Sequence, residues 1–310
     1  MQNRNLSRVI ASMSPLPPPV IEVRIDPKTE SDRGALTAAL TEMAAKDPLL
    51  RTTFDDSSEQ AILMGMSEQH LDLAIETLRR VHEINISIGA PQIAYREFLS
   101  RPCTVEHTYN KRAGARSGYA RVKVALAPLP SGQGCEFAIA PDVAGLPGDH
   151  VKAIAIGVAN ALKSGTLAGF PVTDLATTII DAAYHESDSS VEAFEIAAQA
   201  ATHEGLRGGG CVLIEPIMTL DIRAPAALTA AIIGDLKSRR GEIDASAPVG
   251  DTVAITALVP LATLFGYTNT LGWLSHGRAS FKMEFRGYAV VPSATDDHPP
   301  AAPAMAMRAG

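Results

Sequence analysis

VIEVRID at residues 20–26 alternates apolar and polar side chains, the period-two pattern of a strand with one buried face. Beyond it the period changes. From Ser31 to Lys46, Leu36, Ala39, Leu40 and Met43 share one helical face. Strands are predicted near 50–55 and 60–66, and Ser67 is a candidate N-cap for a helix carrying Leu71, Ile75 and Leu78. A last strand falls near 84–88, which completes the order β-α-β-β-α-β. The same order returns after residue 210. CVLIEPIMTLDIR (211–223) is extended, and Pro225 suits the first turn of a helix through Lys237. Strands near 241–247 and 251–259, a shorter helix from about Leu261 and a strand at 278–290 follow. Split β-α-β halves of this kind fold as ferredoxin-like sandwiches, two helices on one face of an antiparallel sheet. The predicted class is α+β, with two such sandwiches flanking a different central segment.

That central segment, 97–210, carries strand-like runs at 103–109, 118–128 and 134–140, a helix over 148–163, a strand at 172–183 and a helix over 190–204. Gly208, Gly209 and Gly210 read as a hinge-like break exposed to proteolysis. Residues 1–19, with Pro15, Pro17, Pro18 and Pro19, read as a linker, and the Pro/Ala-rich 293–310 as a disordered tail. The expected domains are therefore 20–96, 97–210 and 211–292.

Composition narrows the function classes. Apolar runs fall short of a membrane span, and the first residues lack a signal-peptide core. Cys103, Cys135 and Cys211 lie far apart with no CxxC spacing, against a disulfide framework or a thiolate zinc site and for a reducing cytoplasm. No GxxxxGK[ST] run occurs, so the backbone cradle and lysine that hold nucleotide phosphates have no sequence counterpart. DVAG (142–145), Asn110-Lys111 and GLRGGG (205–210) are partial matches to nucleotide motifs, without the context that would make them work.

Several runs resemble one family, in that family's order. GMSEQHLDL (65–73) and GAPQIAYRE (89–97) resemble GMGELHLEI and GxPQVAYRE of the third domain of elongation factor G. SGTLAGFPVTDL (164–175) and AAYHESDSS (182–190) resemble its fourth domain. LIEPIM (213–218), IGDLKSRRGEI (233–243), VPLATLFGYTNTLGWLSHGRASF (259–281) and MEF (283–285) resemble its fifth. The likeness covers about residues 14–292. It implies a central domain of the ribosomal protein S5 domain 2 type, and a chain corresponding to domains three to five without the GTPase domain or the second domain. GTP and Mg²⁺ would then belong to the missing domain, and no cofactor is expected in this chain.

The resemblance also implies a ribosome-binding module of the translocation machinery, contacting ribosomal RNA and the tRNA–mRNA end of the decoding site. Its partner could be a separately encoded GTPase half, and no membrane is involved. YNKRAGARSGYARVK (109–123) is locally basic in a chain of net charge −7, and Gly114 and Gly118 permit close backbone approach to phosphate. Lys111, Arg112, Gly114 and Arg116 are the candidate RNA contacts there. The second tip loop offers Tyr184, His185, Glu186, Asp188 and Ser189, with Ser189 or Ser190 capping the next helix. Lys237, Arg239 and Arg240 end a helix, where cations equally complement the carbonyl end of the dipole, and Arg278 carries the same ambiguity. Trp273, the sole tryptophan, fits either a core or a stacking surface. Rival readings are a ribosome-protection or release factor of the tetracycline-resistance type, a gene fragment, and more distantly a hydrolase using His185 and Ser189.

Overall fold

A computed structural model describes residues 18–55, 60–113, 116–143, 145–185 and 189–292. The chain divides into two compact units. One holds residues 18–94 and 215–289, and the other holds 95–214 with the first residues after 289.

In the 18–94 segment, β1 (Ile21–Pro27), α1 (Glu30–Lys46), β2 (Arg51–Asp55), β3 (Gln60–Gly65), α2 (Glu68–Arg80) and β4 (Ile86–Ile88) follow in the order read from the sequence. The sheet order is β2-β3-β1-β4, and a two-residue strand, β5 (Gln92–Ile93), adds to β1. Ile21, Val23 and Ile25 of β1 and Ala61 and Leu63 of β3 are buried, because the register sends alternate residues to the helix-covered face. Thr29 and Ser67 cap α1 and α2 by accepting from the amides of Asp32 and His70.

The central unit begins with β6 (Arg96–Leu99), then β7 (Cys103–Ala113), β8 (Arg116–Pro128), β9 (Cys135–Ile139), α3 (Gly148–Lys163), β10 (Leu175–Ala183) and α4 (Val191–Gly209). Its sheet runs β7-β8-β10-β9, with β9 parallel to β10 across the α3 crossover. α4 buries Ala193, Phe194, Ala197, Ala198 and Ala201. A Cβ at Gly157 of α3 would stand 2.2 Å from the Glu195 carbonyl oxygen, so glycine there sets how closely the two helices pack.

The C-terminal half repeats the first. β11 (Cys211–Pro225), α5 (Thr229–Ser238), β12 (Glu242–Val249), β13 (Thr252–Pro260), α6 (Tyr267–Ser275) and β14 (Ser280–Val290) form a sheet of order β12-β13-β11-β14. This is the strand order of the 18–94 sheet. The α+β class and two ferredoxin-like sandwiches follow from it, with the S5 domain 2-like segment lying between them in sequence.

The hinge reading of Gly208–Gly210 is corrected. α4 continues through Gly209, and only Gly210 takes a left-handed φ, 71°. Gly205 and Gly209 are one turn apart and serve contact rather than flexibility. A Cβ at Gly209 would meet Leu99 Cδ1 at 2.5 Å and the Arg101 carbonyl oxygen at 2.7 Å. A helical turn packed on one face is a poor protease site, so no early cut is expected there. The linker and tail readings fall on residues 1–17 and 293–310, outside the described residues.

Candidate nucleic-acid interface

Long β7 and β8 carry the basic run as a hairpin, with Lys111 opposite Gly118, Arg112 opposite Ser117 and Ala113 opposite Arg116. Lys111 is exposed on β7. The backbones of Arg112 and Arg116 close the hairpin ladder, while their side chains and Gly114 lie outside the described residues. Gly118 is a packing position: a Cβ there would sit 3.2 Å from Tyr109 Cε1.

The second loop leaves β10 through Tyr184 and His185 and re-enters at Ser189 and Ser190; Glu186 and Asp188 lie outside the described residues. Ser190 is the N-cap of α4, its hydroxyl accepting from Ala193 N at 3.1 Å. Ser189 has another task. Its hydroxyl donates to the Tyr119 carbonyl oxygen at 2.7 Å and accepts from the His185 amide at 2.9 Å. The Tyr119 and His185 rings lie 4.4 Å apart, centroid to centroid. Tyr119 of β8 therefore joins the two loops that the sequence reading placed at one end. Tyr184 is partly exposed and faces His150, which stacks on Phe194 of α4 at 4.6 Å.

Those same bonds bear on the hydrolase reading. A serine nucleophile needs its proton directed to a base, and Ser189 directs its proton to a carbonyl. The His185 ring packs on Tyr119 instead.

Not every counted cation faces outward. Arg121 donates to Asp181 at 2.9 Å and lies 3.6 Å from Glu106, so its charge is met within the sheet. Asp181 was missed by the sequence reading; the signal was a lone acid in the apolar run TTIIDAA of β10.

The helix-end cations of α5 divide sharply. Lys237 is exposed. Arg239, a candidate RNA contact by sequence, is held within the fold. It pairs with Asp235 at 2.8 Å, both side chains 19% exposed, and donates to the Thr263 carbonyl and Thr270 hydroxyl oxygens. Its guanidinium also stands 5.2 Å from the Tyr267 ring centre. Burial pushes the Tyr267 phenol pKa up, Asp235 adds to the shift, and Arg239 opposes it. Arg240 makes a bidentate pair with Glu215 at 2.6 and 3.0 Å, and Glu215 is 1% exposed. Arg240 takes φ 62° where α5 ends, with Gly241 N donating back to the Leu236 carbonyl. Its side chain is committed to the fold as well. Arg278 is exposed at the end of α6, with Nε donating to the Ser275 carbonyl oxygen at 3.4 Å.

At the other end of the central unit, two of the quoted runs explain each other. Glu97, last residue of GAPQIAYRE, is 0% exposed, and its carboxylate accepts five backbone N–H bonds, from Thr166 to Phe170, at 2.7–3.2 Å. Those amides belong to SGTLAGF. A Cβ at Gly165 would lie 2.2 Å from the carboxylate, so the turn requires glycine there.

All three cysteines are free thiols. Burial, with Glu97 nearby, pushes the Cys211 thiol up to about 11. Burial also raises the Cys103 and Cys135 thiols. Among the described residues no group of His, Cys, Asp or Glu is placed to hold a metal ion, and no helix is long and apolar enough to cross a membrane.

Comparison with known proteins matches this architecture segment by segment. The family model for elongation factor G domain III matches residues 16–90, that for domain IV matches 91–210, and that for the elongation factor G C-terminus matches 212–298. Elongation factor G of Rhodopseudomonas palustris is 43% identical over 285 residues, covering 92% of this chain and 41% of that protein. That of Paracoccus denitrificans is 41% identical over 289 residues, covering 93% and 41%. A crystal structure from Thermus thermophilus superposes with a TM-score of 0.65 at 33% identity, covering 89% of this chain and 41% of that one. The chain thus spans about two fifths of the length of the relatives it matches. It belongs to the elongation factor G family, and its three segments are that family's domains III, IV and C-terminus.

Proposed function

We propose that the chain is a ribosome-binding module of translation elongation, and that its central unit offers the end formed by the β7–β8 hairpin and the His185 loop to RNA at the decoding site. One observation carries this reading: Tyr119 ties the basic hairpin to the His185 loop through a ring contact and the Ser189 hydroxyl. Two loops fixed to one another present one surface, and Lys111 stands exposed beside it. With Arg112 and Arg116 it supplies the charge that RNA phosphates attract, while His185 and Tyr184 supply ring faces. Lys237 and Arg278 are secondary candidates on the C-terminal half. Arg239 and Arg240 are not, because their guanidinium groups are committed internally.

The chain itself performs no nucleotide chemistry in this proposal. GTP and Mg²⁺ would act in a GTPase part such as the rest of a full-length family member or a separately encoded half, in the cytoplasm.

The test is a filter-binding series with 70S ribosomes over a range of salt, comparing the parent with Lys111→Ala/Arg112→Ala/Arg116→Ala. Each phosphate contact contributes roughly one unit to the salt slope, so the variant should bind more weakly with a slope flatter by about three. Equal affinities and parallel slopes would remove the proposal. His185→Ala should alter affinity less and should instead change the chemical protection of decoding-site nucleotides.

A further inference from the structure

Residues 252–283 contain no aspartate or glutamate, in a chain that carries 34. Within that stretch lies α6, whose N-terminus has no capping side chain of its own. Gly266 is the N-cap, at φ 67°, and has no side chain to offer. In a capping box, the third helical residue is Glu or Gln and reaches back to the N-cap amide. Here that residue is Asn269, and no bond from its side chain to Gly266 is found. The Gly266 amide donates instead to Glu68 Oε2 at 3.0 Å, from the first residue of α2, 198 positions earlier in the chain. One residue on, Gln69 Nε2 donates to the Thr268 hydroxyl at 2.8 Å.

The turn that presents Glu68 is held at several points. The Ser67 hydroxyl accepts from His70 N at 3.1 Å, and His70 Nδ1 accepts from Met66 N at 3.2 Å. His70 Nε2 meets Asp47 Oδ2 at 2.9 Å. With Nδ1 accepting, the ring proton sits on Nε2 and points to the carboxylate. A Cβ at Gly65 would lie 2.9 Å from Leu71 Cδ2 and 3.0 Å from His70 Nδ1, so a larger residue there would press on both side chains. This rigidity fixes where the Glu68 carboxylate stands.

We propose that Glu68 is the acidic cap of α6, supplied by the other β-α-β-β-α-β half, so that the first turn of α6 is ordered only while the N-terminus of α2 is docked on it. The carboxylate does two things the α6 segment cannot do for itself: it satisfies the N-cap amide, and it sets a negative charge at the positive end of the helix dipole. Separation of the two halves is then converted into fraying of α6. Trp273, the sole tryptophan, projects from that helix 84% exposed and reports on it. From its own half, Arg239 donates to the Thr263 carbonyl oxygen just before α6 and to the Thr270 hydroxyl in its first turn.

The experiment is hydrogen–deuterium exchange of the full chain over residues 261–275, with Trp273 time-resolved anisotropy, for the parent, Glu68→Ala, Glu68→Gln and Glu68→Ala/Asn269→Glu. Glu68→Ala should speed exchange of the first α6 turn roughly tenfold and free Trp273, the change a lost cap produces. Glu68→Gln keeps an acceptor and loses the charge, so its effect should be smaller. The double variant rebuilds a local capping box and should restore protection without Glu68. Unchanged exchange over 261–275 in Glu68→Ala would overturn the proposal. So would loss of protection spread evenly over α1, α2 and α6 that Asn269→Glu does not reverse.

Discussion

At the end of α5, Arg239 and Arg240 are drawn into the fold; on β7, Lys111 stands in solvent among the residues of the basic hairpin. KSRR and NKRAGAR look alike as strings of cations, and the difference between them comes from their neighbours. Asp235 lies one helical turn before Arg239, and Glu215 of β11 lies where the Arg240 side chain ends. Each guanidinium meets a fixed carboxylate in a shielded place, where bidentate or multiply bonded geometry makes the pairing strong. On the hairpin, the carboxylates Glu106 and Asp181 reach Arg121 near its base, and Lys111 farther along β7 is exposed. Charge that has found a partner stabilises a fold, and charge left in solvent is available to another molecule.

The comparison can be broken most sharply at Glu97, the carboxylate counterpart of those committed arginines. Glu97→Ala removes a buried carboxylate and leaves five backbone amides without their acceptor, and should cost about 3 kcal/mol in urea unfolding of the chain. A loss under 1 kcal/mol would mean water replaces the carboxylate and the site is not closed. Arg239→Ala should cost about 2–4 kcal/mol, since it strands Asp235 and removes the lid from Tyr267. Arg239→Lys should recover little of this, because an ammonium cannot reach Asp235, Thr263 and Thr270 together. Full recovery by lysine would reduce the site to a simple charge pair.

A smaller effect is expected from Cys211. Its folded-state pKa is raised, so the thiol keeps its proton in the native state after the unfolded chain has begun to lose it. Stability from this group is complete below about 9 and falls as pH rises toward about 11. The site is partly open to solvent, so the loss should be on the order of 1 kcal/mol. Cys211→Ser should flatten the pH dependence of the melting temperature in that window, and an unaltered curve would count against it. The smallest effect belongs to the hairpin. Lys111→Ala, Arg112→Ala and Arg116→Ala should each change stability by within about 0.5 kcal/mol, the range of surface substitutions, as their proposed role as RNA contacts requires. A loss near that of Arg239→Ala would place these cations among the structural ones.

Much of the fold was legible in the chain itself. The period-two run in β1, the extended run of β11, the helical spacing of Leu71, Ile75 and Leu78, and Ser67 and the Ser189–Ser190 pair as candidate caps are local signals, set by residues a few positions apart. The two tip loops could also be placed together, through the resemblance of their sequences to one family. The glycine triplet at 208–210 misled, because glycine serves flexibility and close packing alike. Only the neighbours Leu99, Arg101 and Cys103, about a hundred residues away in sequence, tell which role applies at Gly209.

The sequence by itself therefore determined element order, caps, the faces that must be buried and the family. Tertiary structure decided which charges were already answered. Arg239, Arg240 and Arg121 found acids, Glu97 found a turn of amides, and the α6 N-terminus found Glu68, 198 residues away. The reason is that secondary structure is written in short-range periodicity, whereas the worth of a charge depends on its partner and its solvent, and both are supplied by folding.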